Sequence, residues 1–214
     1  MTVPLTNVPD PLFVVLLGGT LEPTARFRAS VAGARFIAAD GGMRHAAALG
    51  ITPEVWVGDF DSTTPEDLAT WAHVPREPYP AAKNATDGEI AVSVALERGA
   101  RRLILAGALG GERSDHALMH LLHAMALKED GLDITLTSGL EEAWPLLAGR
   151  TTVSLPDRSL FSVLGLSALS GLSIENVRYP LNGFDLPFGS SRTVSNVAPD
   201  PMTIQEPDAW HRPF

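Results

Sequence analysis

Two aspartates separated by one residue, Asp59 and Asp61 in the segment Gly58-Asp59-Phe60-Asp61-Ser62, are the side chains of this sequence best suited to chemistry. In an extended segment, residues two apart project the same way with Cα atoms roughly 6.5 Å apart, so both carboxylates reach one ion or a pair. Mg²⁺ is a hard cation usually held by one or two carboxylates, with water and phosphate oxygens completing its shell. The elbow therefore reads as an acidic Mg²⁺-phosphate site. Asp87 is the natural third acid. Its structural alternative is helix capping or dipole compensation, but Thr86 and Glu89 have capping-box spacing and already supply the cap, which favours a ligand role for Asp87.

Two glycine turns belong to the same chemistry. Asp40-Gly41-Gly42 follows the apolar run RFIAA, and Gly110-Gly111 follows RLILA, with Arg113, Asp115 and His116 close behind. Glycines let backbone N–H groups approach phosphate, and Asp40 is placed to organise ribose or metal. A turn that merely reverses the chain is the plainer reading of either motif. Gly110 and Gly111 precede an expected helix N-terminus, where the backbone favours anions, and Arg113 adds a forked phosphate donor. Lys83 reads as a phosphate contact or as a solvated lysine. His116 reads as an ordinary helix residue, and His45, His73, His120 and His123 as structural.

These residues need a scaffold that brings them to one edge, and the hydrophobic pattern supplies one. LFVVLL (12–17), RFIAA (35–39), EVWVG (54–58), RLILA (102–106) and DITLT (133–137) are expected strands. Helices are expected over 22–33 and 43–50, from Thr64 with Pro65 in the first turn, after Thr86, and after a Ser114 cap with Leu118, Leu121, Leu122 and Met125 on one face. Residues 75–80 read as a proline-rich link. Strands alternating with helices predict an α/β domain over 12–138, a mainly parallel three-layer sheet whose ligands gather at the strands' carboxyl ends. From 139 to 214 the short runs TTVSL, SLFSVLGL, LSIENVRY and MTIQ, with an Asn182-Gly183 turn signal, predict a small all-β, sandwich-like domain.

Composition narrows the classes. Of 214 residues 45% are apolar, enough for a sizeable core, and the formal net charge of −9 argues against general binding to nucleic-acid backbones. With no cysteine, disulfides and thiolate metal sites are excluded, and any metal must be held by oxygen or imidazole. The apolar run Leu12 to Leu17 is too short to span a bilayer and no basic residues precede it. The expectation is a cytoplasmic protein with no membrane partner and a loose, proline-containing first eleven residues.

AADGG (38–42), VGDFDS (57–62), Thr86-Asp87-x-Glu89, GALGG with the following Asp115-His116, and SSRTVSN (190–196) occur in this order. In that combination the sequence resembles the thiamine pyrophosphokinase (thiamine diphosphokinase) family from about residue 12 onward. The resemblance implies transfer of a diphosphoryl group from ATP to the thiamine hydroxyl, releasing AMP, with Mg²⁺. It implies that Asp59, Asp61 and Asp87 hold the metal and polyphosphate. Asp40, Gly41, Gly42, Lys83, Gly110, Gly111 and Arg113 would surround ATP, and Asp115, Tyr179, Ser195 and Asn196 would contact thiamine. It further implies a homodimer whose active site lies at the subunit interface. Three departures stand out: Asn84 where the family usually has Asp, one extra residue between Gly111 and Asp115, and His120 where Asn is common. The rivals are a haloacid dehalogenase-like phosphatase, a diphosphokinase acting on a pterin alcohol, and a nucleotide sensor without turnover.

Overall fold

A computed structural model of the chain describes residues 10–61, 63–80, 84–198 and 202–206. The chain divides into two compact units, Met1–Pro145 and Leu146–Phe214.

The first unit is built on a seven-stranded sheet in the order β4-β3-β2-β1-β5-β6-β7. Strands β1 (Leu12–Leu16), β2 (Arg35–Ala39), β3 (Val55–Gly58), β4 (Arg76–Pro78), β5 (Arg102–Ala106) and β6 (Asp133–Thr137) are parallel, and only the two-residue β7 (Glu142–Ala143) runs antiparallel, against β6. The sheet is buried on both faces, which is why its central strands are continuous apolar runs. Phe13, Val15 and Leu17 pack with Ala91, Val92 and Val94 of α4 (Asp87–Glu97) and Ala124 and Leu127 of α5 (Ser114–Glu129). Val14 and Leu16 face the other way, onto Phe27 of α1 (Ala25–Ser30), Ala46 of α2 (Arg44–Leu49) and Leu68 of α3 (Pro65–Thr70). The result is the three-layer α/β arrangement expected. Each fully buried side chain of this kind contributes ~1.5–3 kcal/mol.

Local signals explain most boundaries. Thr24 and Thr64 cap α1 and α3 through their side chains, Pro65 fills the first position of α3, and Gly50 ends α2. The Thr86–Glu89 capping box is complete: the Glu89 N–H donates to Thr86 Oγ1 and the Thr86 N–H donates to the Glu89 carboxylate at 2.7 Å.

Three expectations are corrected, and the orientation of α5 is added. Residues 76–78 are a strand and not a link; β4 is an edge that hydrogen-bonds on one side only, to β3, so Pro78 is tolerated there. Ser114 is the first residue of α5 and not its cap, a place taken by Arg113 without a side-chain bond. Leu118, Met119 and Leu122 of α5 are exposed, because the face turned to the sheet is the one carrying Leu121, Ala124 and Leu127. Asn182-Gly183 makes no turn: both residues lie inside β11 (Leu181–Leu186), where Gly183 at φ +59° accompanies a shift in register against β10 (Leu169–Glu175). A glycine in the left-handed region is the usual companion of such a bulge.

The second unit is all-β. One antiparallel sheet has the order β11-β10-β13-β8, with β8 at Gly149–Val153 and β13 at Met202–Glu206. A two-stranded sheet pairs β9 (Ser159–Phe161) with β12 (Asn196–Ala198). Leu172, Ile174, Leu186 and Ile204 are buried, and so are two polar side chains, Thr193 and Asn196.

Candidate active site

The carboxyl ends of β3, β2, β1 and β5 stand side by side, and each continues into a loop that the sequence had marked or should have marked. The chain runs from β1 to β4 in one direction across the sheet and from β5 onward in the other, so the switch point lies between β1 and β5. Ligands of open α/β sheets usually sit in the crevice outside such a switch.

Asp40 leaves β2 at φ +41°, half-buried, at the head of a short 3-10 turn over Asp40–Met43. Its backbone is fixed from β3, where the indole N–H of the buried Trp56 donates to the Asp40 carbonyl at 2.9 Å. Gly42 packs directly on β1; a Cβ there would lie 2.1 Å from the Leu16 carbonyl oxygen, so no other residue fits. The Asp40 side chain is the anomaly. Among the described residues its buried Oδ1 has no hydrogen-bond partner, a costly condition in a folded interior. Burial pushes the carboxyl's pKa up, and the negative charges of Asp87, Asp59 and Asp61 push it further, partly offset by the Gly41 N–H. Asp59, Asp61 and Asp87, from two further loops, therefore stand close enough for their charges to act on Asp40.

Asp59 and Asp61 flank a residue in an unusual conformation. Phe60 has φ +60°, and its ring meets Trp56 edge-on at 5.1 Å. The segment is thus a tight turn and not the extended stretch the spacing suggests, and the Asp61 N–H donates back to Asp59 Oδ1 at 3.2 Å. A bulky residue in the left-handed region is strained and tends to mark function. Asp87 occupies the first position of α4, oriented by the capping box. Ser62 and Lys83 lie outside the described residues.

The loop after β1, Gly18-Gly19, is the part that sequence reasoning missed. Arg44 Nη2 donates to the carbonyls of Gly18 and Gly19, the latter at 3.0 Å, and His45 Nε2 bonds the Gly19 carbonyl at 2.9 Å. The Gly19 N–H reaches the Gly107 carbonyl at 3.1 Å, joining this loop to the one carrying exposed Gly110 and Gly111. His120 Nδ1 bonds the Ala108 carbonyl of that second loop at 3.1 Å, so the histidine that replaces the common asparagine still holds it. A Gly-Gly pair directly after a strand was the available signal. Beside Asp40 opens a cleft of about 250 Å³ lined by Gly41, Arg44, Trp56 and Thr63 among others.

Arg113 and Asp115 are both exposed and bind each other, with Nε to Oδ1 at 2.9 Å and Nη2 to Oδ2 at 2.7 Å. In the second unit, Tyr179 is exposed, Asn196 is buried, and Ser195 stands between them in sequence at φ +60°.

The donor set fits Mg²⁺ in chemistry. It is made of hard carboxylate oxygens, one of them buried and unpartnered among the described residues. Among the described residues no three His, Asp or Glu side chains are grouped closely enough to form a metal cage, Asp59, Asp61 and Asp87 included.

Fold and loops define a class: a parallel α/β unit with carboxylates and glycine turns at its carboxyl edge, followed by an antiparallel β unit. Residues 31–136 match the family model described as thiamin pyrophosphokinase, catalytic domain. A thiamin pyrophosphokinase from Geobacillus thermodenitrificans is 26% identical, with 92% of each chain covered and a TM-score of 0.73. A thiamin pyrophosphokinase family protein from Enterococcus faecalis is 23% identical over 94% of this chain and 100% of that one, with a TM-score of 0.73. The Candida albicans thiamin pyrophosphokinase is 13% identical over 92% and 86%, with a TM-score of 0.72. The last two speak to the fold alone. No curated protein matches the sequence significantly. The chain belongs to the thiamin pyrophosphokinase family, and the matched segment holds Asp40, Asp59, Asp61, Asp87 and Arg113. Among the described residues no helix is long and apolar enough to cross a membrane.

Proposed function

We propose that the chain is a thiamine diphosphokinase, which transfers a diphosphoryl group from ATP to the hydroxyl of thiamine and releases AMP. The observation that carries this reading is the gathering of Asp40, Asp59, Asp61 and Asp87 at one sheet edge, with Asp40 Oδ1 buried and unpartnered among the described residues, inside the segment that matches the catalytic-domain model.

In the proposed reaction the thiamine oxygen attacks the β-phosphorus of ATP, the bond from that phosphorus to the oxygen of the AMP portion breaks, and the hydroxyl proton is lost. The barrier is chiefly one of charge and alignment. Bound Mg²⁺ would neutralise the polyphosphate. Asp59, Asp61 and Asp87 would hold it, with Asp40 behind them. Asp61 and Asp87 are the candidates to take the hydroxyl proton. Gly41, Gly42, Gly110 and Gly111 would line the approach to ATP, with Arg113 and Lys83 as its cationic contacts. Asp115, Tyr179, Ser195 and Asn196 would form the thiamine side.

The family resemblance supports a homodimer, and the exposed Leu118, Met119 and Leu122 on α5 offer an apolar surface of the kind that association covers. Its dependence on ATP and the absence of cysteine support a cytoplasmic setting.

Incubation of the purified protein with ATP, Mg²⁺ and thiamine should yield AMP and thiamine diphosphate in equal amounts. Formation of ADP, of free phosphate, or of no product would overturn the reading.

A further inference from the structure

We propose that Asn196 is a positioning residue that sets the place of Tyr179 and does not itself bind substrate. The inference rests on the reading of the chain as a thiamine diphosphokinase and assigns a different job to one of the four residues placed on the thiamine side.

Tyr179 lies in the irregular stretch between β10 and β11, just before Pro180, so no sheet ladder holds its backbone. Asn196 does. Its Oδ1 accepts the Tyr179 N–H at 3.1 Å and its Nδ2 donates to the Tyr179 carbonyl at 2.8 Å. The same Oδ1 accepts the Val197 N–H at 2.9 Å. The neighbouring Arg178 N–H donates to the Val197 carbonyl at 2.9 Å, so two segments 17 residues apart are laced together at one spot.

An asparagine offers two acceptor sites on oxygen and two N–H donors. Both acceptor sites of Asn196 and one donor are committed to backbone, and the residue is only 6% exposed. A cationic ligand is recognised by acceptors or by an aromatic face, and Asn196 has no acceptor left to give. Tyr179 is 57% exposed and carries the aromatic face. A cation already visits it: the Arg178 guanidinium lies 5.4 Å from the ring centroid.

Two further residues of the Ser190–Asn196 motif are anchored, Thr193 through its side chain and Ser195 through its backbone. Thr193 Oγ1 donates to the Val163 carbonyl at 2.6 Å from a buried position, and the Ser195 N–H, at φ +60°, reaches Ser162 Oγ at 3.1 Å. Buried polar residues that spend their bonds on backbone fix a loop's shape and leave its exposed members to meet the ligand.

The test is a double-mutant cycle on the full-length protein, read as thiamine KM and kcat, together with hydrogen exchange at the Tyr179 amide. Asn196→Ala should raise KM for thiamine roughly tenfold with kcat within about twofold. Tyr179→Ala should do at least as much, and the double variant should be no worse than Tyr179→Ala, because both changes remove one contact. The Tyr179 amide should exchange faster in Asn196→Ala while Leu172 and Ile174 stay protected. Should the alanine variant fail to fold, Asn196→Asp keeps the acceptor for both N–H groups, loses the donor to the Tyr179 carbonyl, and should raise KM alone. Multiplying effects in the double variant, or a fall in kcat at unchanged KM, would overturn the proposal. A wild-type protein that makes no thiamine diphosphate would overturn the substrate reading itself, and the exchange data would then show separately whether the clamp exists.

Discussion

Arg113 grips Asp115 with two parallel hydrogen bonds, at 2.9 and 2.7 Å, across a single intervening residue. Hydrogen bonding from Arg113 holds the Asp115 carboxyl far below the usual carboxylate range. The resemblance assigns the two residues to different ligands, ATP and thiamine, yet here each neutralises the other. An exposed pair of this sort adds little to stability; on the proposed function its cost falls on binding, where Arg113 would exchange a carboxylate for phosphate. Asp115→Asn is therefore expected to lower KM for ATP and raise KM for thiamine, each several-fold, with the melting temperature unchanged. Initial rates over both substrates and a thermal melt check it.

Asp40 is expected to trade stability for function. Burial first, then the charges of Asp87, Asp59 and Asp61, raise its pKa in the folded state above the value in the unfolded chain. A folded state that holds the proton more tightly gains stability at pH below the unfolded value, about 4 for Asp, and loses it as pH rises through the folded value. At neutral pH the ionised Asp40 thus destabilises the fold. Asp40→Asn should melt higher than the wild type at pH 7, with the difference shrinking as pH falls through the raised folded value and gone below about 4, while turnover drops sharply. Equal melting temperatures at pH 7 would remove the basis for this assignment.

The turn at Phe60 separates the roles of its two neighbours. Asp59 Oδ1 accepts the Asp61 N–H, and an asparagine at 59 keeps that acceptor. Asp59→Asn and Asp61→Asn should both fold normally and lower kcat by at least ~100-fold, with Mg²⁺ affinity weakened in a calorimetric titration. Near-normal rates from either variant would end the metal role proposed for it.

His45 should make the protein sensitive to mild acid. Burial lowers its pKa more strongly than its bond to the Gly19 carbonyl raises it. A depressed folded pKa means that stability is present above the unfolded value, about 6.5, and is lost as pH falls through the folded one. Because His45 pins the Gly18-Gly19 loop, its protonation acts at the switch point. His45→Gln should flatten the fall in melting temperature on acidification below about pH 6.5.

How much of this was legible depended on what each element rests upon. The limits of β5 and β6 match the runs RLILA and DITLT residue for residue, because the sheet buries Leu103 to Ala106 of the first and Ile134 and Leu136 of the second. β4 was hidden since Arg76-Glu77-Pro78 has no apolar pattern and joins the sheet through backbone on one side alone. The orientation of α5 was not legible, because periodicity fixes which residues share a face and not which face meets the sheet. The four site acids could be named from their types and strand-end positions. Their geometry could not, since Phe60 takes φ +60° with its ring against Trp56, and the spacing of the two aspartates does not reveal that turn.

The capping box under Asp87 yields the last prediction. Glu89 is held below its ordinary pKa chiefly by the Thr86 N–H, so the box stays ionised and intact at neutral pH. Thr86→Ala removes the bond to the Glu89 N–H and the hydroxyl donated to the Glu89 carboxylate at 2.9 Å, at a cost of ~1 kcal/mol in stability. A cap that served stability alone would leave kcat untouched. Here it also sets the first turn of the helix whose first residue is Asp87, so a shift of that turn moves the carboxylate proposed as a ligand. Displacements of about 1 Å at a reacting centre can cost on the order of 100-fold in rate. Thr86→Ala should therefore lose far more turnover than its stability loss implies, and Thr86→Ser, which keeps the hydroxyl, should restore both. A variant destabilised to the expected extent yet fully active would show that Asp87 does not depend on the cap for its position.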